Sequence, residues 1–194
     1  EIKAPQDAVI VGFVGNMTAQ KRPLIFVEAA ALMTRRSKRS LHFVLFGDDR
    51  GGLRKQTEEL VRTHGIANRV HFMGHRSPIE PWIGTLDVLL APGVGDGFGR
   101  TLIEAMLSGT PVIASDSGGH PEIIEHRVTG FLFPPDDPNA LAAAAIDLLK
   151  DRPKAMALTK FARRYAIDSF SADRHADQVM SLYERVVVGK NISV

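Results

Sequence analysis

Four glycines, an aspartate and a glutamate crowd one stretch of the chain, Gly93-Val94-Gly95-Asp96-Gly97-Phe98-Gly99-Arg100-Thr101-Leu102-Ile103-Glu104. Glycine lets a backbone approach a ligand closely and adopt positive φ. A helix start adds unpaired N–H groups and a dipole that favours anions. Together these suit the binding of a phosphate or diphosphate. Asp96 lies in the loop and Glu104 about two turns along the helix predicted over 98–107. A carboxylate beside a phosphate would repel it, so both acids are expected to accept hydrogen bonds from sugar or ribose hydroxyls. A tight strand-to-helix turn with two solvated acids has the same composition, and the residues alone leave both readings open.

Lys21 closes another loop, Gly15-Asn16-Met17-Thr18-Ala19-Gln20-Lys21-Arg22, where a cation could neutralise charge on a departing diphosphate. Taken alone it reads better as an exposed lysine before a helix. Gly118-Gly119-His120-Pro121-Glu122 is a further glycine turn, able to present amides or His120 to a sugar. An isolated loop histidine is nonetheless more often a surface residue. The seven histidines show no metal-ligand spacing, and no Gly-x-Ser-x-Gly elbow offers a serine nucleophile. No metal site is expected.

The elements that must hold these loops alternate along the chain. Apolar runs over 8–14, 41–46, 70–73, 86–91, 111–115 and 130–133 read as strands. Helical spacing occupies 23–33, 53–64, 98–107, 139–149, 153–167 and 173–187, with short turns over 79–83 and 122–125. Strands apolar on both faces, alternating with helices, imply a parallel sheet covered on both sides. The fold expected is therefore α/β, a doubly wound parallel sheet with a helical C-terminal tail. In such sheets ligands lie beyond the carboxyl ends of the strands, where all the loops above fall.

The chain of 194 residues is long enough for one domain with a proper core, and its net charge is only +2. The one dense basic run, Arg35-Arg36-Ser37-Lys38-Arg39, reads as a solvated turn at a helix end, so nucleic acid is not expected as a partner. With no cysteine, disulfides and thiolate metal sites are excluded. No apolar stretch reaches membrane-spanning length. A charged, proline-containing lead from Glu1, without a signal peptide, resembles a segment of a longer protein and suggests a cytoplasmic location.

These residues resemble the group 1 retaining glycosyltransferases of the GT-B fold. The resemblance runs from Ala8 to Tyr183. It is strongest in Ala91-Pro92, Asp96-Gly97-Phe98-Gly99, Leu102-Ile103-Glu104-Ala105-Met106, Gly109-Thr110-Pro111-Val112-Ile113-Ala114, Gly118-Gly119, Pro121-Glu122 and Thr129-Gly130-Phe131-Leu132. It implies the C-terminal, donor-binding half of a two-domain enzyme: a Rossmann-like domain over 1–170 and a closing helix over 171–194 that packs toward an N-terminal domain. The donor would be a UDP, GDP or ADP sugar, transferred with retention and without metal or other cofactor. An acceptor would be held mainly by the N-terminal domain, and the whole enzyme could sit peripherally at the inner face of a membrane. The isolated half would bind nucleotide and transfer little sugar. Residue by residue, Glu104 matches the acid that binds ribose, Asp96 the acid that contacts the donor sugar, and Lys21 the lysine that stabilises the leaving diphosphate. Gly97, Phe98, Gly99, Thr101 and Leu102 match the turn that meets phosphate and sugar, and Met73, Gly74 and Arg76 lie where the base is held. Two positions depart from the pattern. Asp96 stands for the commoner Glu, and Asn16 for an Arg, which removes a cation from the leaving-group site.

Two rivals share the fold. A nicotinamide-dependent dehydrogenase would explain the glycine-rich turn and Asp116, but Phe98 occupies the place of the third glycine of that fingerprint. A nucleotide-sugar epimerase would bind a similar donor, and the Asp96–Glu104 pair argues against it.

Overall fold

The computed structural model describes residues 2–188. Six parallel strands form one sheet: β1 (Val9–Val14), β2 (Leu41–Phe46), β3 (Val70–Gly74), β4 (Val88–Ala91), β5 (Val112–Ser115) and β6 (Phe131–Phe133). Their spatial order is β3-β2-β1-β4-β5-β6. Strand order thus reverses between β1 and β4, which pair Val11 with Val88 and Gly12 with Leu89. At this switch point the connections that follow β1 and β4 leave in opposite directions and open a crevice.

The helices between them are α1 (Pro23–Arg36), α2 (Arg54–Thr63), α3 (Glu80–Ile83), α4 (Arg100–Ser108), α5 (His120–Ile123) and α6 (Pro138–Lys150). The tail is α7 (Arg152–Phe170) and α8 (Ala172–Val188). The doubly wound α/β expectation holds, with both helical layers present and the tail helical. Residues 189–194 of the expected closing helix lie outside the described residues.

All six residues of β2 are buried, as a strand covered on both faces requires. Leu41, Phe43 and Leu45 join Phe26, Ala30 and Leu141 in one core; Val44 and Phe46 join Ile83, Leu102, Met106 and Ala162 in the other. Asp137 begins α6 by accepting hydrogen bonds from the amides of Asn139 and Ala140, both at 2.9 Å, and Asp151 begins α7 through Lys154 N at 3.0 Å. The start of α4 has no such side-chain cap: its N-cap is Gly99. Two starts differ from expectation. α4 opens at Arg100 and not at Phe98, because Phe98 leaves the helical path to stack edge-on against Phe170 at 6.0 Å. α5 opens at His120, two residues earlier than the 122–125 segment expected.

Candidate donor-binding site

The loops after β1 and β4 meet at the switch point. Lys21 Nζ donates to Asp96 Oδ2 at 2.7 Å, and Gln20 Nε2 to the Gly95 carbonyl at 3.0 Å. Val94 N donates to the Gln20 carbonyl at 2.8 Å. Lys21 is aimed there by Arg22, which takes a left-handed backbone at φ 54° and is tied by its guanidinium to Asp136 at 2.8 Å. A non-glycine residue in that region is strained and needs such an anchor.

The turn after β5 closes against the same loop. Gly119 N donates to the Asp96 carbonyl at 2.7 Å, and Gly95 N to Ser117 Oγ at 3.2 Å. A Cβ on Gly118 or Gly119 would run into the backbone of Asp96 or Gly97. These two glycines are therefore spent on seating one loop against another, and the expectation that they present amides to a sugar is corrected for Gly119, whose N–H is used internally.

His120 corrects a second expectation. It is not a surface residue but only 1% exposed. Its Nδ1 faces the Ser115 carbonyl at 3.1 Å and Ser115 Oγ at 3.2 Å, and its Nε2 faces Asp96 Oδ2 at 3.4 Å. Ser115 Oγ itself donates to the Gly93 carbonyl. The Asp96 carboxyl is held below the usual carboxylate range, first by hydrogen bonding from His120 and then by Lys21, against the opposing effect of burial.

Beside this cluster lies a cavity of about 310 Å³ whose lining includes Asn16, Lys21, Arg76, Arg100, Thr101 and Glu104. A niche of about 30 Å³ adjoins it, sharing Lys21, Arg100 and Thr101 and bringing in Gly93, Asp96, Gly99, Leu102 and His120. The predicted site residues are thus largely gathered. Met73 and Gly74 stand behind the lining: Met73 packs on the second core, and the Gly74 carbonyl accepts from Gly47 N at 3.0 Å. His75 and Ile79 line the cavity in their place, beside Arg76. Gly97 and Phe98 are exposed at the loop tip. A larger hollow of about 590 Å³, floored by α6 and β6, contains none of the predicted residues.

The chemistry of the cavity is mixed by design of its lining. Arg100 N donates to the Phe98 carbonyl and Leu102 N to the Gly99 carbonyl, both at 2.9 Å. Among the described residues, the amides of Gly97, Phe98, Gly99 and Thr101 have no protein acceptor, so the start of α4 retains donors for an anion. The Glu104 carboxylate has no hydrogen-bond partner among the described residues. Burial pushes its pKa up, reinforced by Glu80 and opposed by Arg100. Asn16 is committed elsewhere, its Oδ1 accepting from Asp48 N at 3.1 Å to tie the loop after β1 to that after β2. No group of three His, Cys, Asp or Glu among the described residues could hold a metal ion. No helix among them is long and apolar enough to cross a membrane.

Sequence reasoning weighed His120 as a residue that could face a sugar but favoured the surface, missing its burial against Asp96, and it did not single out Arg100. For His120 a signal existed: it follows a buried strand after two glycines and precedes Pro121, a first-turn proline, so a helix beginning there turns it toward the sheet edge. Arg100 carried no signal beyond its position at the helix start.

The chain matches the family profile described as glycosyl transferases group 1 over residues 8–151. It is 32% identical over 185 residues to D-inositol 3-phosphate glycosyltransferase of Corynebacterium urealyticum, covering 92% of this chain and 43% of that protein. It is 31% identical over 134 residues to the lipopolysaccharide core biosynthesis mannosyltransferase LpsB of Rhizobium meliloti, covering 68% and 38%. The chain therefore spans less than half the length of these curated relatives. Among solved structures, Anabaena HepE in complex with UDP and glucose superposes with a TM-score of 0.85 at 27% identity, over 92% of this chain and 48% of that one. The C-terminal domain of the group 1 protein LpcC from Francisella tularensis shares the fold, with a TM-score of 0.77 at 24% identity over 84% of this chain and 87% of that one.

Proposed function

This chain belongs to the group 1 glycosyl transferases, and from that premise we propose that its switch-point cavity binds the diphosphate and ribose of a nucleoside-diphosphate sugar. The observation that carries the reading is the convergence, around one cavity of about 310 Å³, of Lys21, Arg100, the uncapped start of α4 and Glu104, whose carboxylate has no partner among the described residues. Cations and amides suit the diphosphate, and a carboxylate about one turn along α4 suits ribose hydroxyls. Asp96 faces the adjoining niche, where it would accept from a hydroxyl of the donor sugar. Met73, Gly74 and Arg76 mark the side on which the base would lie. The complexes of HepE with UDP and with UDP-glucose support a uridine donor as the first to test.

In the whole enzyme the donor sugar would pass to an acceptor with retention of anomeric configuration. The acceptor would be held mainly by a second domain, because the cavity lies open at the end of the sheet and transfer needs both reactants held in line. Lys21, Arg100 and the α4 amides would stabilise the departing diphosphate without a metal ion or other cofactor. Residues 1–170 would form the donor domain, and residues 171–194, which include α8, would face the second domain; Met180, Leu182 and Tyr183 on α8 are exposed apolar residues suited to that contact. A cytoplasmic location, with the whole enzyme peripheral to the inner face of a membrane, fits this reading.

Calorimetric titration with UDP, GDP and ADP, followed by their sugar forms, tests it. Saturable binding of at least one nucleotide, tightened by a second phosphate relative to the monophosphate, is expected. No binding by any of them would refute it.

A further inference from the structure

We propose that Asp136, in the turn after β6, is a positioning residue for the donor diphosphate: through Arg22 it holds the backbone that carries Lys21 in a conformation the chain would otherwise leave. The inference rests on the nucleotide-sugar reading of the site.

Three observations carry it. First, the strained residues are paired. Among the described residues, three that are not glycine have positive φ: Arg22 at 54°, Arg127 at 66° and Asp136 at 57°. Two of these touch each other. Arg22 Nε donates to Asp136 Oδ1 at 2.8 Å and Nη2 to Oδ2 at 3.3 Å, across 114 residues of sequence. The left-handed region crowds Cβ against the following carbonyl. Arg22 also precedes Pro23, which ordinarily keeps the residue before it extended. Such a conformation persists only where its surroundings over-determine it.

Second, the clamp is more than an exposed ion pair. The side chains of Arg22 and Asp136 are 33% and 52% exposed, and a single-pronged pair so placed would contribute little. Here the guanidinium presents two prongs to the carboxylate, and Nη1 donates to the Ala19 carbonyl at 2.7 Å. A planar fork bound on both sides fixes orientation as well as distance. The post it leans on is stiff. Pro134 and Pro135 precede Asp136 and Pro138 follows it, each with φ fixed by its ring. Asp137 between them is locked as the cap of α6 through the amides of Asn139 and Ala140.

Third, Lys21 is strung between two anchors. On one side Gln20 is bonded to the loop after β4: its carbonyl accepts from Val94 N, and its Nε2 donates to the Gly95 carbonyl. On the other side stands the Arg22 clamp. The bond from Lys21 Nζ to Asp96 cannot serve as the anchor once Nζ turns to a diphosphate. The two backbone neighbours then decide where the ammonium can reach, and Arg22 is the one whose conformation has to be held. Released from Asp136, Arg22 would relax toward extended backbone and change the direction in which the chain leaves Lys21 for α1. An ammonium that must be brought back into place at each binding event costs affinity.

Titration calorimetry with UDP, GDP and ADP and with the matching nucleosides, together with thermal melting, tests the assignment. The proteins compared are the unaltered chain, Asp136→Gly, Arg22→Gly and the variant carrying both. Glycine adopts positive φ freely, so each single change removes the clamp and its strain together. Asp136→Gly is expected to melt close to the unaltered chain. It should nonetheless bind the nucleoside diphosphate on the order of threefold to tenfold more weakly, with the nucleoside unaffected. Arg22→Gly should lose as much, and the double variant no more than either single one, because the two residues act as a unit. Asp136→Asn, which tolerates the left-handed region and keeps an acceptor for Arg22 Nε, should lose less than Asp136→Gly. Unchanged diphosphate affinity in Asp136→Gly, equal losses for diphosphate and nucleoside, or losses that add in the double variant overturn the proposal and leave the donor site standing. Absence of binding by all three diphosphates to the unaltered chain refutes the site reading itself.

Discussion

Lys21 and Asp96, 75 residues apart in the chain, meet through Nζ and Oδ2 at 2.7 Å and so pin together the loops that follow the two central strands. The ammonium proposed to serve a leaving diphosphate is, before the donor arrives, engaged with the carboxylate proposed to serve the sugar. Donor binding must therefore loosen an existing bond, and the affinity measured is the surplus over it.

Lys21→Ala accordingly is expected to separate diphosphates from nucleosides. A charge-assisted hydrogen bond to phosphate contributes roughly 1.5–3 kcal/mol, so UDP should bind about 10- to 150-fold more weakly, while uridine should be unaffected. Titration of both ligands against both proteins checks this. Equal losses for nucleoside and diphosphate would remove Lys21 from the phosphate site.

The carboxylate of Glu104 is expected to hold ribose. Glu104→Ala should weaken UDP by about 1–3 kcal/mol, and 2′,3′-dideoxy-UDP should bind the variant and the unaltered chain alike. Because burial raises the Glu104 pKa, nucleotide affinity should fall on acidification sooner than an ordinary carboxylate would allow, as protonation removes an acceptor. Affinity measured against pH for the unaltered chain and for Glu104→Gln reads this directly; the glutamine variant should lack that acid limb.

For stability the sign at Asp96 is opposite. Its pKa is lowered by His120 and Lys21, so the folded state holds this proton less tightly than the unfolded chain does. The contribution is present above the ordinary carboxylate pKa and is lost as pH falls through the lower folded value. Lys21 is 33% exposed, so the ion pair is partly screened and worth about 1 kcal/mol. Asp96→Asn should then melt about 2–4 °C lower at neutral pH, and the gap should close as the pH drops below the ordinary carboxylate range. A gap that widens in acid would contradict the assignment.

Gly119→Ala tests the seating of the turn after β5. Its φ of −78° suits any residue, so the penalty is steric alone: the methyl group meets the Gly97 carbonyl oxygen. The variant is expected to lose roughly 1–3 kcal/mol of stability in denaturant titration and to weaken donor binding, because the displaced strip carries Asp96. Gly109→Ala is the informative contrast. Its φ is +76° with open space around it, so it should lose stability through backbone strain while leaving binding intact.

Much of this architecture was legible in the sequence because the strands are apolar on both faces and separated by helical spacing, so that neither period could be mistaken for the other. The loops carrying Asn16, Lys21 and Asp96, and the helix start leading to Glu104, were correctly placed at one end of the sheet by the same logic. What stayed hidden was contact. That Asp96 meets Lys21 and His120, and not solvent, depends on the order in which strands lie, which no local pattern encodes. Phe98 misled the start of α4 because an apolar residue at that spacing fits a helical face as well as it fits a ring stacked on Phe170. The side chain of Asn16 gave no hint that it would be spent on Asp48 N.

The aromatic trio at the end of α7 has a mechanical meaning. Tyr165 and Phe170 lie edge to face at 5.7 Å, and Phe170 in turn meets Phe98, two residues beyond Asp96. α8 departs immediately after Phe170, so the start of this last helix is anchored on the tip of the loop after β4. The aromatic chain from Tyr165 through Phe170 to Phe98 thus ties the junction of α7 and α8 to the loop that carries Asp96.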